Sequence, residues 1–182
     1  MRKIKLFIAS SLDGFIARPD GALDWLPTDG NDYGYHDFIT TIDTTLMGGK
    51  TYRDVLKFGE FPYKNLQNFV FTRDRAIKKN PNVKFVPEQI CHFTQTLKNQ
   101  AGKDIWLIGG SEIIAELYNT HLIDEYIITI IPTILGRGIP LFTALKKQAY
   151  LQLTNVKSYP SGVVQLLYRA VDAPPEAGMP TQ

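Results

Sequence analysis

Short apolar runs recur along the whole chain, and polar or glycine-rich segments separate them. Runs that are rich in β-branched and aromatic side chains predict buried strands. Such runs lie at 4–9, 44–47, 67–72, 83–86, 104–108 and 123–131. Two further runs, 151–158 and 163–169, flank the turn sequence Tyr159-Pro160-Ser161-Gly162 and predict a C-terminal hairpin.

Helical spacing of apolar residues appears between these predicted strands. The stretch 35–42 has apolar side chains at i, i+3, i+4 and i+7, which predicts one buried face of a first helix that includes Ile42. Similar patterns predict a helix from near Lys50, one over roughly 88–99 with Pro87 near its first turn, and one around 113–118.

Strands that alternate with helices imply a largely parallel sheet, because each parallel connection needs a crossover segment. The C-terminal hairpin adds antiparallel strands at one edge. The sequence therefore predicts an α/β domain over 1–170. The last stretch, 172–182, has three prolines and no large aliphatic or aromatic side chain, so a flexible C-terminal tail is predicted from residue 171 onward.

Composition narrows the function classes. The chain has 182 residues, 44% of them hydrophobic and 21% charged, which is typical of one globular domain. A net charge of +2 argues against a nucleic-acid or membrane-surface binder. One cysteine and no long apolar run or secretory segment predict a cytoplasmic protein. The histidines form no H-E-x-x-H motif, so no metal site is predicted.

Two strand-to-helix junctions are built from paired glycines. One is Gly48-Gly49 before Lys50-Thr51, and the other is Gly109-Gly110 before Ser111. The N–H groups at a helix start point outward beside a partial positive charge, and glycine lets a phosphate approach the backbone. A tight turn explains either junction alone. Two junctions in one sheet favour a ligand that carries a diphosphate.

The first junction nearly matches the P-loop of nucleoside triphosphatases. Gly49-Lys50-Thr51 fits the end of the pattern G-x-x-x-x-G-K-[ST], but its first position is Thr44 rather than glycine. In addition, 44–47 is a predicted strand where a P-loop requires a loop. Nucleotide hydrolysis is therefore disfavoured.

Asp32 is the candidate acid. It lies three residues before Tyr35 and seven before Ile39, so it shares the predicted buried stripe of the first helix. In an apolar pocket, burial would raise its pKa and suit it to proton transfer. The alternative is a helix N-cap, for which Asn31 or Asp32 is a favoured residue type.

A basic cluster follows the predicted strand at 67–72. It consists of Arg73, Arg75, Lys78 and Lys79. At the carboxyl edge of a sheet such side chains can bind a phosphate, for example the 2′-phosphate that distinguishes NADP from NAD. A solvated basic turn is the alternative.

Five segments in order resemble the dihydrofolate reductase superfamily. The resemblance is greatest to the reductase domain at the C-terminus of the bifunctional riboflavin-biosynthesis deaminase-reductase, the RibD C-terminal domain. The segments are 9–17 (ASSLDGFIA), 46–52 (LMGGKTY), 70–73 (VFTR), 106–110 (WLIGG) and 132–142 (PTILGRGIPLF). The resemblance implies a three-layer αβα fold with an eight-stranded, mostly parallel sheet, an antiparallel C-terminal hairpin and four flanking helices.

The same resemblance implies that NADPH lies across the carboxyl ends of the strands. Its pyrophosphate would bind at Gly48, Gly49, Lys50 and Thr51. Its adenosine and 2′-phosphate would meet Thr72 and Arg73. A second cradle would consist of Gly109, Gly110, Ser111 and Glu112. The nicotinamide would be bordered by Ala9, Asp13 and Ile16.

The implied activity is NADPH-dependent hydride transfer to a pterin- or ribosylaminopyrimidine-like small molecule. Asp32 precedes Met47 by fifteen residues, the spacing at which dihydrofolate reductases place their pterin-binding acid, so it is the implied catalytic residue. The alternative is a module of the same fold that binds NADP(H) without turnover. A homodimer stays open, because the strand at 123–131 can pair between two copies or simply be buried.

Overall fold

An alternation of strands and helices runs through the computed structural model, which describes residues 1–174 except 75, 78 and 88. The strands are β1 Ile4–Ser11, β2 Phe15–Ala17, β3 Ile42–Gly48, β4 Gln67–Phe71, β5 Val83–Val86, β6 Asp104–Gly109, β7 Glu125–Ile131, β8 Ile139–Pro140, β9 Tyr150–Ser158 and β10 Val164–Val171. The helices are α1 Tyr35–Thr40, α2 Gly49–Lys57, α3 Ile90–Lys98 and α4 Ser111–Asn119.

Eight strands form one sheet in the order β5-β4-β3-β6-β1-β7-β10-β9. The pairs from β5 to β7 are parallel, whereas β10 runs antiparallel to both β7 and β9. The predicted parallel sheet with an antiparallel C-terminal hairpin is therefore confirmed. Strands β2 and β8 pair separately in a small antiparallel sheet beside it.

Successive residues of the central strands point to opposite faces, and helices cover both faces. Leu6 and Leu107 pack with α3 and α4 on one side. Their neighbours Phe7 and Trp106 pack with α1 on the other side, where Met47 also packs with α2. Because both faces are buried, the strands read as nearly continuous apolar runs. The three-layer αβα arrangement is confirmed.

Three local expectations differ from the structure. Helix α1 ends at Thr40, so the prediction that Ile42 belongs to its apolar face is wrong, and Ile42 instead opens β3. Its side chain packs beside Phe38, which explains why a helical spacing continued past the helix. Helix α3 begins at Ile90, so Pro87 precedes it. Strands β2 and β8 were not predicted, because two or three residues cannot display an alternating pattern.

The positions of β7 and β10 in the sheet bear on two further expectations, namely pairing of two copies through β7 and a C-terminal tail. Strand β7 pairs with β1 on one side and with β10 on the other, so its apolar sequence is explained by burial and not by pairing between two copies. The edge strands of the sheet are β5 and β9. Strand β10 continues to Val171, and residues 175–182 of the predicted tail lie outside the described residues.

Truncation of Leu107 tests the described core. Its side chain is fully buried in the α3/α4 layer. We expect Leu107→Ala to lower the free energy of unfolding by about 2–5 kcal/mol, through lost burial and a residual cavity. Urea denaturation measures this change. The control is Leu153→Ala on the edge strand β9, where the side chain is 50% exposed and the expected change is within about 0.5 kcal/mol. Equal losses at the two positions would contradict the described burial.

Candidate active site

Strands β3 and β6 are adjacent and parallel, and their following helices leave on opposite faces of the sheet. Helix α2 follows β3 and packs on one face through Tyr52. Helix α4 follows β6 and packs on the other face through Ile113 and Leu117. A crevice opens at the carboxyl edge wherever neighbouring connections diverge in this way, and such crevices are the usual ligand sites of open α/β sheets.

A cleft of about 570 Å³ occupies this crevice. Both helix N-termini line it, together with the ends of β1 and β2 and part of the loop after β2. Most of the cofactor-binding residues expected from the sequence are brought together here. They are Ala9, Ile16, Gly48, Gly49, Lys50, Thr51, Gly110, Ser111 and Glu112.

Glycine is required at both helix starts. Gly110, the N-cap of α4, has a φ of +100°, and a Cβ there would lie 3.1 Å from Thr51 Oγ1. A Cβ on Gly49 would lie 2.9 Å from Thr72 Oγ1. Neither N-cap, Gly48 or Gly110, offers a side-chain acceptor to the first turn of its helix. The junctions are thus tight turns that also leave first-turn N–H groups available to an anion.

Side chains at the two helix starts differ in whether they are available to contact a ligand. Lys50 is exposed and forms no ion pair with any described residue. Ser111, by contrast, donates its hydroxyl to the carbonyl oxygen of Pro140 in β8. Its backbone N–H therefore remains as the donor for an anionic ligand. Glu112 lies in the first turn of α4, on the wall of the cleft.

Three expected cofactor residues lie behind or beside the cleft lining. Gly109 has a φ of +138°, and a Cβ there would come within 3.3 Å of Ile8 Cδ1, so it serves close packing. Thr72 supports Gly49 and accepts the N–H of Asp74. Arg73 is exposed at the end of β4 and unpaired among the described residues, which exclude Arg75 and Lys78.

Asp13 forms a clamp between two loops and is absent from the cleft wall, contrary to the expectation that it borders the nicotinamide. The Ser11 hydroxyl donates to its Oδ1 at 2.6 Å, and the N–H groups of Leu135 and Gly136 donate to its two oxygens. These donors lower the pKa of Asp13, the Ser11 hydroxyl most of all. The clamp ties the β1–β2 turn to the loop after β7. It thereby helps to position Ile16, which does line the cleft.

Asp32 does not occupy the position expected of a catalytic acid. Helix α1 begins only at Tyr35, so Asp32 precedes the buried stripe and is exposed. Its carboxylate accepts the backbone N–H groups of His36 and Gly34 and contacts His36 Nδ1 at 2.7 Å. These contacts, led by the His36 backbone N–H, lower its pKa to about 2. The expectation of burial and a raised pKa is wrong. The N-cap of α1 is Gly34, so the N-cap alternative is not met as stated, but Asp32 does accept the first-turn N–H of His36 from two residues before the cap.

Sequence reasoning missed several residues that line the cleft. Asp54, Val55 and Phe58 face it from α2 and its C-terminal cap, on the same side of the helix as Thr51, which was expected. Their spacing of i, i+3, i+4 and i+7 marks one helix face, so the printed sequence did contain a signal for them. Tyr63 comes from the irregular segment between α2 and β4, where no periodicity could have indicated it.

Tyr63 presents a neutral polar group on the wall of the cleft. Its ring packs edge-on against Trp106, with 5.1 Å between the ring centroids. Burial raises its pKa to about 12, with a smaller contribution from nearby Tyr35. Its hydroxyl is therefore protonated at physiological pH. It makes no hydrogen bond within the described part of the chain.

Other chemistries receive no support from the geometry. The segment 44–47 belongs to β3, so the P-loop interpretation is wrong. Within the described residues there is no group of three or more His, Cys, Asp or Glu side chains that could hold a metal ion. Nor does that part of the chain contain a helix long and apolar enough to cross a membrane.

The sheet order, the opposed helices and the cleft between them define a dihydrofolate reductase-like α/β protein. Comparison with known families then gives a narrower result. The model of the RibD C-terminal domain matches residues 2–165, and the chain belongs to that family.

Individual relatives agree with this membership. The chain is 42% identical over 170 residues to the uncharacterized protein YwjB of Bacillus subtilis, covering 92% of this chain and 97% of that one. Among solved structures, one named for riboflavin biosynthesis from Shewanella sp. PV-4 is 28% identical, with a TM-score of 0.81 and coverage of 93% and 99% of the two chains.

A more distant structure shares the fold alone. It is the diaminohydroxyphosphoribosylaminopyrimidine deaminase/5-amino-6-(5-phosphoribosylamino)uracil reductase of Thermotoga maritima, at 19% identity and a TM-score of 0.71. The similarity covers 93% of this chain but 57% of that protein.

The position of Asp32 predicts a specific pH dependence. Because the folded pKa lies below the unfolded value of 3.8, ionised Asp32 stabilises the fold above that value, and the contribution is lost as pH falls toward about 2. We expect Asp32→Asn to be less stable than the wild type at neutral pH. The difference should narrow and vanish across this acidic window, as measured by urea denaturation. A difference that stays constant throughout would show that the charge of Asp32 contributes nothing.

Proposed function

We propose that this protein is an NADPH-dependent reductase whose cofactor binds in the cleft. The observation that carries the proposal is the convergence of two helix N-termini on one cavity, with no side-chain cap at either. Each N-terminus carries a partial positive charge and free N–H groups, so together they suit the two phosphates of a dinucleotide. Unpaired Lys50 adds a full positive charge at the same place.

The rest of the dinucleotide has suitable surroundings on both sides of the helix starts. Exposed Arg73 follows β4, the strand next to β3, and is available to the 2′-phosphate of NADPH. On the other side, the apolar residues Ala9 and Ile16 provide a surface for the nicotinamide. This placement uses the expected cofactor residues, with Asp13 and Gly109 in supporting positions.

Hydride transfer requires the substrate to lie against the nicotinamide. The cleft extends beyond Ala9 along α2 toward Leu26, Val55 and Phe58, which offer apolar surface for a flat heterocycle. When bound, NADPH supplies a hydride, and so two electrons, to a carbon of a C=N or C=O bond. The chain positions the substrate against the nicotinamide and excludes water from the buried side of the cleft. Water entering from the open rim provides the proton for the nitrogen or oxygen.

The substrate class in this proposal is a pterin- or ribosylaminopyrimidine-like small molecule. Family membership supports it, because the Thermotoga neighbour is named as an aminouracil reductase. A second candidate is a module that binds NADPH without turnover. The location of Asp32 outside the cleft favours this second candidate, because it removes the expected acid. Oxidation of NADPH with any member of a pterin and pyrimidine panel would exclude it.

Substitution of Lys50 tests the cofactor site. We expect NADPH to quench tryptophan fluorescence, because Trp25 packs against Ala9 and Leu26 in the cleft wall. Lys50→Ala should weaken NADPH binding about tenfold, because one charge-assisted contact to phosphate is lost. The matched control is Lys146→Ala on an exposed loop away from the cleft, which should bind as the wild type does. No NADPH binding by the wild type would end the proposal.

Substitution of Arg73 tests which end of the cofactor reaches β4. Arg73→Ala should weaken NADPH binding about tenfold and leave NADH binding nearly unchanged, because NADH lacks the 2′-phosphate. Parallel fluorescence titrations with the two cofactors measure the ratio. An equal effect on both would place the 2′-phosphate elsewhere.

A further inference from the structure

The half of the cleft that lies beyond the helix N-termini has a charge pattern of its own. We define this substrate half by Leu23, Leu26, Asp54, Val55, Phe58 and Tyr63. Asp54 lies five residues after Gly49, or about 7.5 Å along the helix axis, and is thus displaced from the phosphate-binding end of α2. The charge of this half bears on the substrate and not on the cofactor.

The substrate half offers no spare cation. Among the described residues that line the cleft, Lys50 at the helix start is the single lysine, and no arginine is present. Besides Glu112 at the start of α4, two carboxylates line the cleft, those of Asp54 and Glu60. Each of them pairs with a lysine that does not line the cleft. Lys57 Nζ lies 2.7 Å from Asp54 Oδ1, and Lys64 pairs with Glu60. A phosphate monoester would meet two carboxylates and no uncommitted positive partner.

Asp54 is the polar group best placed to recognise a substrate. Its side chain is 26% exposed, and the backbone of Gly21 passes close enough that a Cβ there would lie 3.6 Å from Oδ2. Lys57 bonds to Oδ1, and no described residue donates to Oδ2. This oxygen reaches solvent, and a ligand donor that replaces water there can form a charge-assisted hydrogen bond. The complementary ligand group is an amino group or a protonated ring nitrogen.

Tyr63 completes the recognition surface without adding charge. Its hydroxyl stays neutral and has no partner in the described part of the chain. It can therefore donate to, or accept from, a polar edge of the substrate. The remaining walls are aliphatic or aromatic, which suits the faces of a planar ring.

We propose that the substrate half selects an unphosphorylated, amino-bearing nitrogen heterocycle, which is recognised through the free Oδ2 of Asp54. This inference rests on the proposed reductase function, since it assigns the phosphate-binding end of the cleft to the cofactor. It goes beyond that function by excluding a 5′-phosphorylated ribosylaminopyrimidine as the preferred substrate.

Two matched ligand pairs test this selectivity. Calorimetric titrations with and without NADPH compare cytidine with cytidine 5′-monophosphate, and 2,4-diaminopyrimidine with uracil, up to millimolar concentrations. We expect the nucleoside to bind more tightly than its monophosphate. We also expect the diamino ring to bind about tenfold more tightly than the dioxo ring, because it alone donates from amino groups to a carboxylate.

Three variants connect the selectivity to residues. Asp54→Asn should abolish the preference for the diamino ring while leaving NADPH affinity unchanged, which also shows that the variant is folded. Asp20→Asn, an exposed aspartate outside the cleft lining, should retain the preference. Lys57→Met should leave the affinity for cytidine 5′-monophosphate unchanged, because in this proposal Lys57 serves Asp54 and not a substrate phosphate.

The outcomes separate this inference from the proposed function. Tighter binding of the monophosphate, a diamino preference that survives Asp54→Asn, or no binding by any of the four probes would each overturn the inference. NADPH binding alone decides the reductase proposal. A protein that binds NADPH and prefers phosphorylated pyrimidines would therefore retain the function and lose the substrate assignment.

Discussion

The adjacency of β3 and β6 is the constraint on which the site depends. The two strands are parallel, so both end at the same edge of the sheet, and their helices depart to opposite faces. Only this divergence leaves room between the helix starts. The glycines at the junctions matter as well. A Cβ on Gly110 would lie 3.1 Å from Thr51 Oγ1 across that space, and a Cβ on Gly49 would lie 2.9 Å from Thr72 Oγ1 at the end of β4.

The two ends of the cleft also differ in charge. Its helix-start end gathers two N-terminal dipoles and Lys50, which together suit phosphate. Its far end holds Asp54 among apolar side chains, with the nearest lysines outside the lining. One helix, α2, supplies both ends. Under the proposed function its first turn would face the phosphates of the cofactor and its later turns would face the substrate, so a substrate and a cofactor of opposite character would bind side by side.

Two acidic residues near the site, Asp13 and Asp32, have structural roles. Asp13 holds two loops together, and Asp32 accepts the N–H groups at the start of α1. In both cases surrounding donors lower the pKa, which is the opposite of what a general acid needs near neutral pH. The Asp-Gly sequence at 13–14 therefore contributes by shaping the wall that carries Ile16.

The sequence by itself determined the eight strands of the main sheet and the two glycine junctions, because these depend on local periodicity and turn chemistry. It also contained the α2 face through Asp54 and Phe58, which helical spacing reveals. Tertiary structure alone decided that Asp32 lies outside the cleft, since its environment depends on where α1 begins. It also placed Tyr63 on the wall and β7 in the interior, because contacts between distant segments leave no periodic mark in the sequence.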